Sequence, residues 1–404
     1  MTTTTKKTQT KLVEIEEWLQ SVVQERNDVI HDAMVALVAN QHLIMVGPGG
    51  TGKSLLVRSL VSAITDSVLY ETALAEGTDP SEVLGAVNIK GLAEDGVVRR
   101  ITKGTLVEAN YAFLDELFNG NKPLAHSIMA ILNERVFHNG GLIQDVPLRS
   151  VFAGTNKLTA DADLAAYFDR IHFRCVVGYV NNRDNQEVML GNAVSRLLRQ
   201  GRGGAAGTPP VTVSLEDIDQ AHREALEIPI EQDVLDKFLD IRSELASQGI
   251  IVSDRRMVEG MVAVLSNAWL AGHTRVHPAD LEILVNMWWV TQEHIGLVNH
   301  TVLGIANPNE RAAMDLLAAY DEIKNESREA LNTDVDRTHR ERIAMEAIKN
   351  LGRLIREAQA LTLKNEKEGV GSRRAIDLIT KAETLRGQLV EKVLGLPAAM
   401  ASRL

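Results

Sequence analysis

The chain has a single cysteine, Cys175, among 404 residues. One thiol cannot close an intrachain disulfide or build a zinc site of the multi-cysteine kind. It sits in the strand-like run IHFRCVVGYV and reads as a small buried apolar residue. No run of about 18 apolar residues occurs, so no membrane span is expected. The N-terminal MTTTTKKTQTK lacks the apolar segment of a signal peptide, which makes the cytoplasm the expected compartment. Positive charge is in deficit: the net charge is -11, with no global attraction to nucleic acid or anionic membrane. The eleven histidines are scattered, and a transition metal held by the protein is not expected. His42, His126 and His138 read as structural or surface groups.

The length suits two or three domains. Residues 1–10 read as a disordered polar tail. From Lys11 to Asn40, apolar residues recur at helical spacing (Leu12, Ile15, Leu19, Val22, then Ile30, Met34, Leu37), predicting two helices broken near QERND. HLIMV, VLYETAL, AFLD, LRSVFAG and HFRCVVGYV read as strands, most of them separated by helices, which argues for a doubly wound parallel sheet. Residues 85–110 interrupt this pattern with Gly-rich, short β-like pieces, and NGG at 139–141 reads as a hairpin turn. A Gly/Pro linker follows near 201–212. Residues 213–300 are helical, with Ser214 as an N-cap and Pro278 near a helix start. Residues 301–404 are helical again. Leu351, Leu354, Ile355, Ala358 and Leu361 suggest a hairpin or coiled coil, with Ser372 able to cap its last helix. Trp288 and Trp289 read as core or as part of a subunit interface.

Between HLIMV and LLVRSLVSAI stands GPGGTGKS, which fits G-x-x-x-x-G-K-[ST]. Its glycines let the backbone wrap closely and aim N–H groups at phosphate oxygens, and the following helix adds its N-terminal partial charge. Gly47, Pro48, Gly49, Gly50, Thr51, Gly52, Lys53, Ser54 and Leu55 are therefore the expected nucleotide-binding residues. Lys53 carries positive charge to the phosphates and Ser54 offers a hydroxyl to Mg²⁺. Some 60 residues on, YAFLDEL places Asp115 at a strand end, where it can hold Mg²⁺ through water. Glu116 beside it can polarise a water for attack on the terminal phosphate. SVFAGTNK ends a further strand at Asn156, which would stand near that water if its strand lies between the other two.

Taken together these segments resemble the AAA+ ATPases, and among them the MoxR family, nearest its RavA-type branch. The likeness covers roughly residues 11–295. It rests on HLIMVGPGGTGKS, on the stretch from TKGTLVEANYAFLDEL to NERVFHNGG, on FAGTN, on AAYFDRIHFR and on VSDRRMVEGM. It implies an α/β fold: an AAA+ parallel sheet flanked by helices (11–200), an all-α lid (213–300) and a helical C-terminal extension (301–404). It implies that Asn156 is sensor 1. Arg170 would be the arginine finger acting on a neighbouring subunit, with Arg174 as its competitor. Arg255 would be sensor 2, with Arg256 as the alternative. Segment 85–110 would be a β-structured insertion with a charged tip, facing the axis of a ring.

The resemblance further implies an enzyme that hydrolyses ATP with Mg²⁺ in a ring, a hexamer by expectation, with the nucleotide at the junction of core and lid. Its work would be the remodelling of a protein client together with a von Willebrand factor A-domain partner. Two other readings of the same loop are a nucleic-acid motor, which the acidic balance disfavours, and a small-molecule phosphotransferase. A non-hydrolysing scaffold is disfavoured by the presence of Lys53, Asp115 and Glu116 together.

Overall fold

The computed structural model describes residues 3–120, 122–156, 169–200, 207–331, 336–368, 373–397 and 400. The expected cap Ser372 lies outside them. Two compact units divide the chain, Met1–Val298 and Asn299–Leu404.

The first unit is built on five parallel strands; four of them are nearly continuous buried runs, as a sheet covered on both faces requires, and the edge strand Leu69–Ala73 is part-exposed. The five are β1 (Leu43–Val46), β3 (Leu69–Ala73), β4 (Tyr111–Asp115), β7 (Ser150–Thr155) and β8 (Phe173–Val176), in the order β3-β4-β7-β1-β8. The small pair β2 (Ile64–Thr65) and β9 (Val213–Ser214) is also parallel, and β5 (Val136–Asn139) with β6 (Leu142–Asp145) forms an antiparallel hairpin. Its turn is the expected Asn139-Gly140-Gly141, with φ of 61° and 84° at the two glycines. Strand β7 pairs with β1 on one side and β4 on the other, which brings the ends of the three motif-bearing strands side by side. One core, including Ile44, Leu114, Leu124, Ile128 and Val151, lies under the helices that follow β4.

Helices α1 (Thr3–Val22) and α2 (Asn27–Ala39) break where QERND predicted, and Glu25 turns there with a φ of 56°. The polar tail differs from expectation: α1 begins at Thr3. Gln9 Nε2 donates to the carbonyls of Trp269 and Leu270, and Thr8 is buried beside Asp217. These are tertiary contacts, invisible to local composition. Helix α3 (Lys53–Ser62) follows β1, α4 (Pro80–Leu84) follows β3, and α5 (Ile89–Asp95) lies inside segment 85–110. That segment is thus a helix closed by one antiparallel bridge, Val87 to Arg100, and not a β loop. The Asn88 side chain caps α5 by accepting from Gly91 N–H, so the Asn-initiated turn wins over strand pairing. The segment is tied to the β5–β6 hairpin through Arg100 N–H to Asn139 Oδ1 (2.6 Å) and Asn139 Nδ2 to Arg100 O (3.1 Å).

Helix α6 (Lys122–Glu134) leads into that hairpin and α7 (Arg183–Gln200) follows β8. Then come α8 (Leu215–Leu226), α9 (Gln232–Ser247) and α10 (Asp254–Leu270), with a 3₁₀ helix at Pro278–Asn286. Ser214 caps α8 as expected, in a reciprocal box with Asp217 at 3.0 Å each way. Trp288 and Trp289 are buried, with Phe238 edge-on to Trp288 at 5.0 Å, which removes both from any stacking surface. Among the described residues no helix is long and apolar enough to cross a membrane.

Helix α11 (His294–Ala306) carries the chain from the first unit into the second. There α12 (Pro308–Leu331), α13 (Arg337–Glu368) and α14 (Arg373–Lys392) pack as three helices, one more than a hairpin. Leu351, Leu354, Ile355 and Ala358 are buried with Leu378, Leu385 and Leu389 in a core of its own. The first turn of α12 is tied to both other helices, by Lys364 Nζ to Asn309 Oδ1 (2.8 Å) and Arg374 to Glu310 (3.2 Å).

Candidate active site

The loop after β1 takes its shape from two glycines. A Cβ on Gly47 would collide with the carbonyl oxygen of Val177, so only glycine lets the loop leave the sheet so close to β8. Gly52 caps α3 with a φ of 85°, which an L side chain rarely adopts. Thr51 Oγ1 donates to Pro48 O (3.0 Å), and Lys53 Nζ donates to Gly47 O (2.8 Å) and Pro48 O (3.1 Å). Lys53 is only 7% exposed and stands on the inside of the loop. Ser54 and Leu55, half-buried, occupy the first turn of α3. Gly49 and Gly50 are exposed, and the Tyr179 hydroxyl lies 3.5 Å from Gly49 O.

Gly154, in β7, shows how the two motifs meet. A Cβ built there would collide with Asp115 Oδ1 and come within 3.1 Å of Lys53 Cε. The acidic strand end and the lysine therefore share one cleft above a residue without a side chain. Glu116 follows with a φ of 52°, an uncommon conformation for a non-glycine residue. Its Oε1 accepts from Asn156 Nδ2 (2.5 Å) and its Oε2 from Asn119 Nδ2 (3.4 Å), while Asp115 Oδ1 accepts from Glu116 N–H (3.1 Å). The sheet order supplies the condition set for Asn156, because β7 lies between β1 and β4. Gly154→Ala is expected to push the Asp115 carboxylate aside and to lower kcat by about 10–100-fold, with nucleotide affinity changed less. Steady-state hydrolysis beside a nucleotide titration measures the two.

The donor set fits a magnesium nucleotide. Mg²⁺ is held by one or two protein oxygens with phosphates and waters, which Ser54 and Asp115 can supply. His273 and His277 have the four-residue spacing of a helical metal pair. They stand on a loop instead, rings 4.4 Å apart, with His273 Nδ1 bound to Asp280 at 3.0 Å.

Two residues that sequence reading passed over brace the loop. Arg26 is buried, donates from Nη2 to Thr51 O (3.3 Å) and also reaches Gly178 O. Glu25 receives the N–H groups of Asn181 (3.0 Å) and Asn182 (2.8 Å), fixing the segment after β8. The only local signal for either was the helix break at QERND.

Arg170 and Arg255 lie elsewhere. The finger segment is described from Asp169 onward; residues 165–168 lie outside the described residues, as do Lys157 and Leu158 after Asn156. Arg170 and Arg255 line one cavity of about 130 Å³ with His42, Arg135, His172 and Glu259 among its walls. Residues 40–42 precede β1, whereas the phosphate loop follows it. Four residues at strand rise put about 13 Å between the two ends. The lid meets the core at this far end: Arg255 pairs with Asp169 at 3.5 Å, Ser253 Oγ donates to Asp169 Oδ1 (2.6 Å), and Gln41 Nε2 to Glu259 Oε2 (2.7 Å). This core–lid contact stands at the N-terminal end of β1, the end away from the phosphate loop.

Burial separates the competing arginines. Arg174 is 0% exposed, donates to Trp289 O and lies over the Trp289 ring. Arg256 is buried too and donates to Met287 O (2.5 Å). Both act as struts of the lid. Arg170 is half-buried and Arg255 exposed, so only these two can meet an outside group. Arg135, with a φ of 56°, donates from Nη2 to Asn40 O (3.2 Å) and Arg149 O (2.9 Å) and stands beside His42. Burial and the Arg135 charge hold His42 far below the usual imidazole range. Val151 N–H donates to its Nδ1 (2.9 Å), and its Nε2 lies 2.9 Å from Arg135 Nη1 and 3.2 Å from Leu132 O.

A five-stranded parallel sheet with a phosphate loop after β1 and an acidic pair after β4, followed by a helical lid, defines an ATPase of the AAA+ class. A family model for the MoxR domain of MoxR–vWA–β-propeller ternary systems matches residues 10–200, and one for an AAA lid domain matches residues 233–302. Two uncharacterized proteins of Methanocaldococcus jannaschii are each 31% identical, over 316 and 315 residues. Both alignments span 78% of this chain; they span 80% and 81% of the relatives. The crystal structure of a candidate ATPase from Cytophaga hutchinsonii shares the fold, with a TM-score of 0.59 at 15% identity over 75% of this chain and 96% of that one. The chain belongs to the MoxR family of AAA+ ATPases.

Proposed function

We propose that this chain hydrolyses ATP within a ring of like subunits, a hexamer, and uses the energy to remodel a protein client. The nucleotide is held by Gly47–Leu55, and Mg²⁺, when bound, neutralises phosphate charge from Ser54 and Asp115. Glu116 takes the proton of the attacking water, and Asn156 fixes the carboxylate that does so. Arg170 and Arg255 neutralise phosphoryl charge on the nucleotide of the neighbouring subunit. The observation that carries the reading is the shared cleft over Gly154, where Lys53 and Asp115 converge.

A von Willebrand factor A-domain partner is supported by the ternary systems after which the matched MoxR model is named. That model also makes a β-propeller protein a partner to seek, whereas the RavA-type branch rests on motif likeness alone. The client-facing surface is segment 85–110 with the β5–β6 hairpin. Its surface mixes apolar and charged groups: Ile89 is 77% and Ile143 69% exposed, beside the exposed Lys90 and Glu94, while Arg100 is turned inward to Gly85 O (2.8 Å).

The test is phosphate release by the purified chain. Lys53→Ala should weaken ATP binding by about 10–100-fold through loss of charge-assisted contacts to phosphate. Addition of DNA should leave turnover unchanged. Phosphate transferred to a small acceptor instead of water would overturn the ATPase reading, and stimulation by DNA would replace the protein client with nucleic acid.

A further inference from the structure

His172 walls the cavity at the far end of the sheet, and the two arginines do not explain it. It is 8% exposed and lines the cavity, and neither ring nitrogen has a hydrogen-bond partner among the described residues. Buried polar groups are normally paired, so an orphaned imidazole facing a cavity marks a place for a ligand. The charged groups around it come from every packed element. Its own segment gives Asp169, Arg170 and Arg174, and the lid helix gives Arg255, Arg256 and Glu259. Arg135 closes α6, and His42 precedes β1. Five guanidinium groups face two carboxylates. Burial, then Arg174 and Arg256, push His172 down to about 3 against the opposing pull of Asp169. It is therefore neutral near pH 7, with one N–H to donate.

A cavity of about 130 Å³ is large enough for one tetrahedral oxyanion. Such an ion is rich in acceptors, which suits arginines and an imidazole N–H. Its negative charge would offset the arginines and favour a second proton on His172.

We propose that this cavity is a receptor for a tetrahedral oxyanion of the phosphate class, that His172 is one of its ligands, and that occupancy is coupled to uptake of a proton by His172. The inference rests on the reading that Arg170 and Arg255 face a phosphate here, and adds to it a ligand and a proton. The oxyanion has two sources, the terminal phosphate of a neighbour's nucleotide or a free ion in solution.

The experiment follows the His172 ring nitrogens by NMR in the full-length, histidine-labelled chain, with sulfate as probe because sulfate has no proton to lose between about pH 5 and 8. His172→Gln assigns the signal by its disappearance, and His172→Asn serves if the first variant disturbs the other histidines. Saturating sulfate should raise the His172 pKa by two units or more, equivalent to a 100-fold tighter hold on the anion by the protonated form. A His172 signal that titrates identically in sulfate and in chloride, or a second proton gained without sulfate near neutral pH, overturns the proposal. Sulfate that shifts His172 and inhibits ATP turnover identifies the neighbour's phosphate as the source; a shift without inhibition identifies a free oxyanion. Arg170→Ala separates the two readings. If it stops hydrolysis while His172 ignores sulfate, only the oxyanion inference fails. If Arg170→Ala hydrolyses ATP normally, the assignment of the finger fails with it.

Discussion

Glu116→Gln should bind ATP as the parent does and hydrolyse it about 10²–10⁴ times more slowly, the range for loss of a positioned general base. The amide keeps the shape of the side chain and can still meet Asn156, 2.5 Å from Oε1, but it cannot take a proton. The left-handed φ of 52° at this residue is the structural reason for so local an effect. The backbone turns there to bring the side chain back toward Asn156, and a glutamine maintains that turn. Single-turnover hydrolysis beside a nucleotide-binding titration measures both quantities. Undiminished turnover would falsify the base assignment.

Arg170→Ala should leave nucleotide binding intact and reduce hydrolysis by about 10³–10⁵-fold, the contribution of an arginine supplied to a phosphoryl group in trans. Arg255→Ala should act in the same direction, more weakly, because its pairing with Asp169 at 3.5 Å already uses part of its charge. On the proposed reading the defect is communal. Arg170 and Arg255 line a cavity at the N-terminal end of β1, and the phosphate loop lies at the other end. Mixing Arg170→Ala with Glu116→Gln subunits, each inactive alone, should restore part of the turnover, since some interfaces then pair an intact finger with an intact base. Mixed assemblies with no more activity than either parent would point to an arginine acting within its own chain.

How much of this could be read from residues alone differs by element. The central strands were legible because they are short apolar runs buried on both faces, and LIMV or VFAG has few other folds open to it. The phosphate loop was legible because close backbone approach demands glycine at fixed spacing, as Gly47 and Gly52 show. The choice between Arg170 and Arg174 was not legible. It turns on which guanidinium faces outward, and burial against Trp289, 115 residues away, decides that. The same holds for Arg255 and Arg256. The first turns of the N-terminal helix were missed because Thr3–Thr10 carries no apolar periodicity; Gln9 there is tied to carbonyls at the end of the helix Asp254–Leu270. The helix in segment 85–110 was hidden by its glycines, of which Gly96 ends the helix with a φ of 69°. His172 drew no notice because a lone histidine before a strand is usually structural; the signal is its orphaned nitrogens, which only coordinates reveal.

The separation of phosphate loop and outward arginines to opposite ends of one sheet has a kinetic corollary. With the fingers acting in trans as proposed, a solitary copy would own two half-sites and no whole one, so per-molecule turnover is expected to fall on dilution and to climb steeply past a threshold concentration. On that proposal expression level would serve as a throttle on fuel consumption: scarce copies would stay idle with nucleotide bound, and burning would begin only when neighbours are abundant enough to stack head to tail.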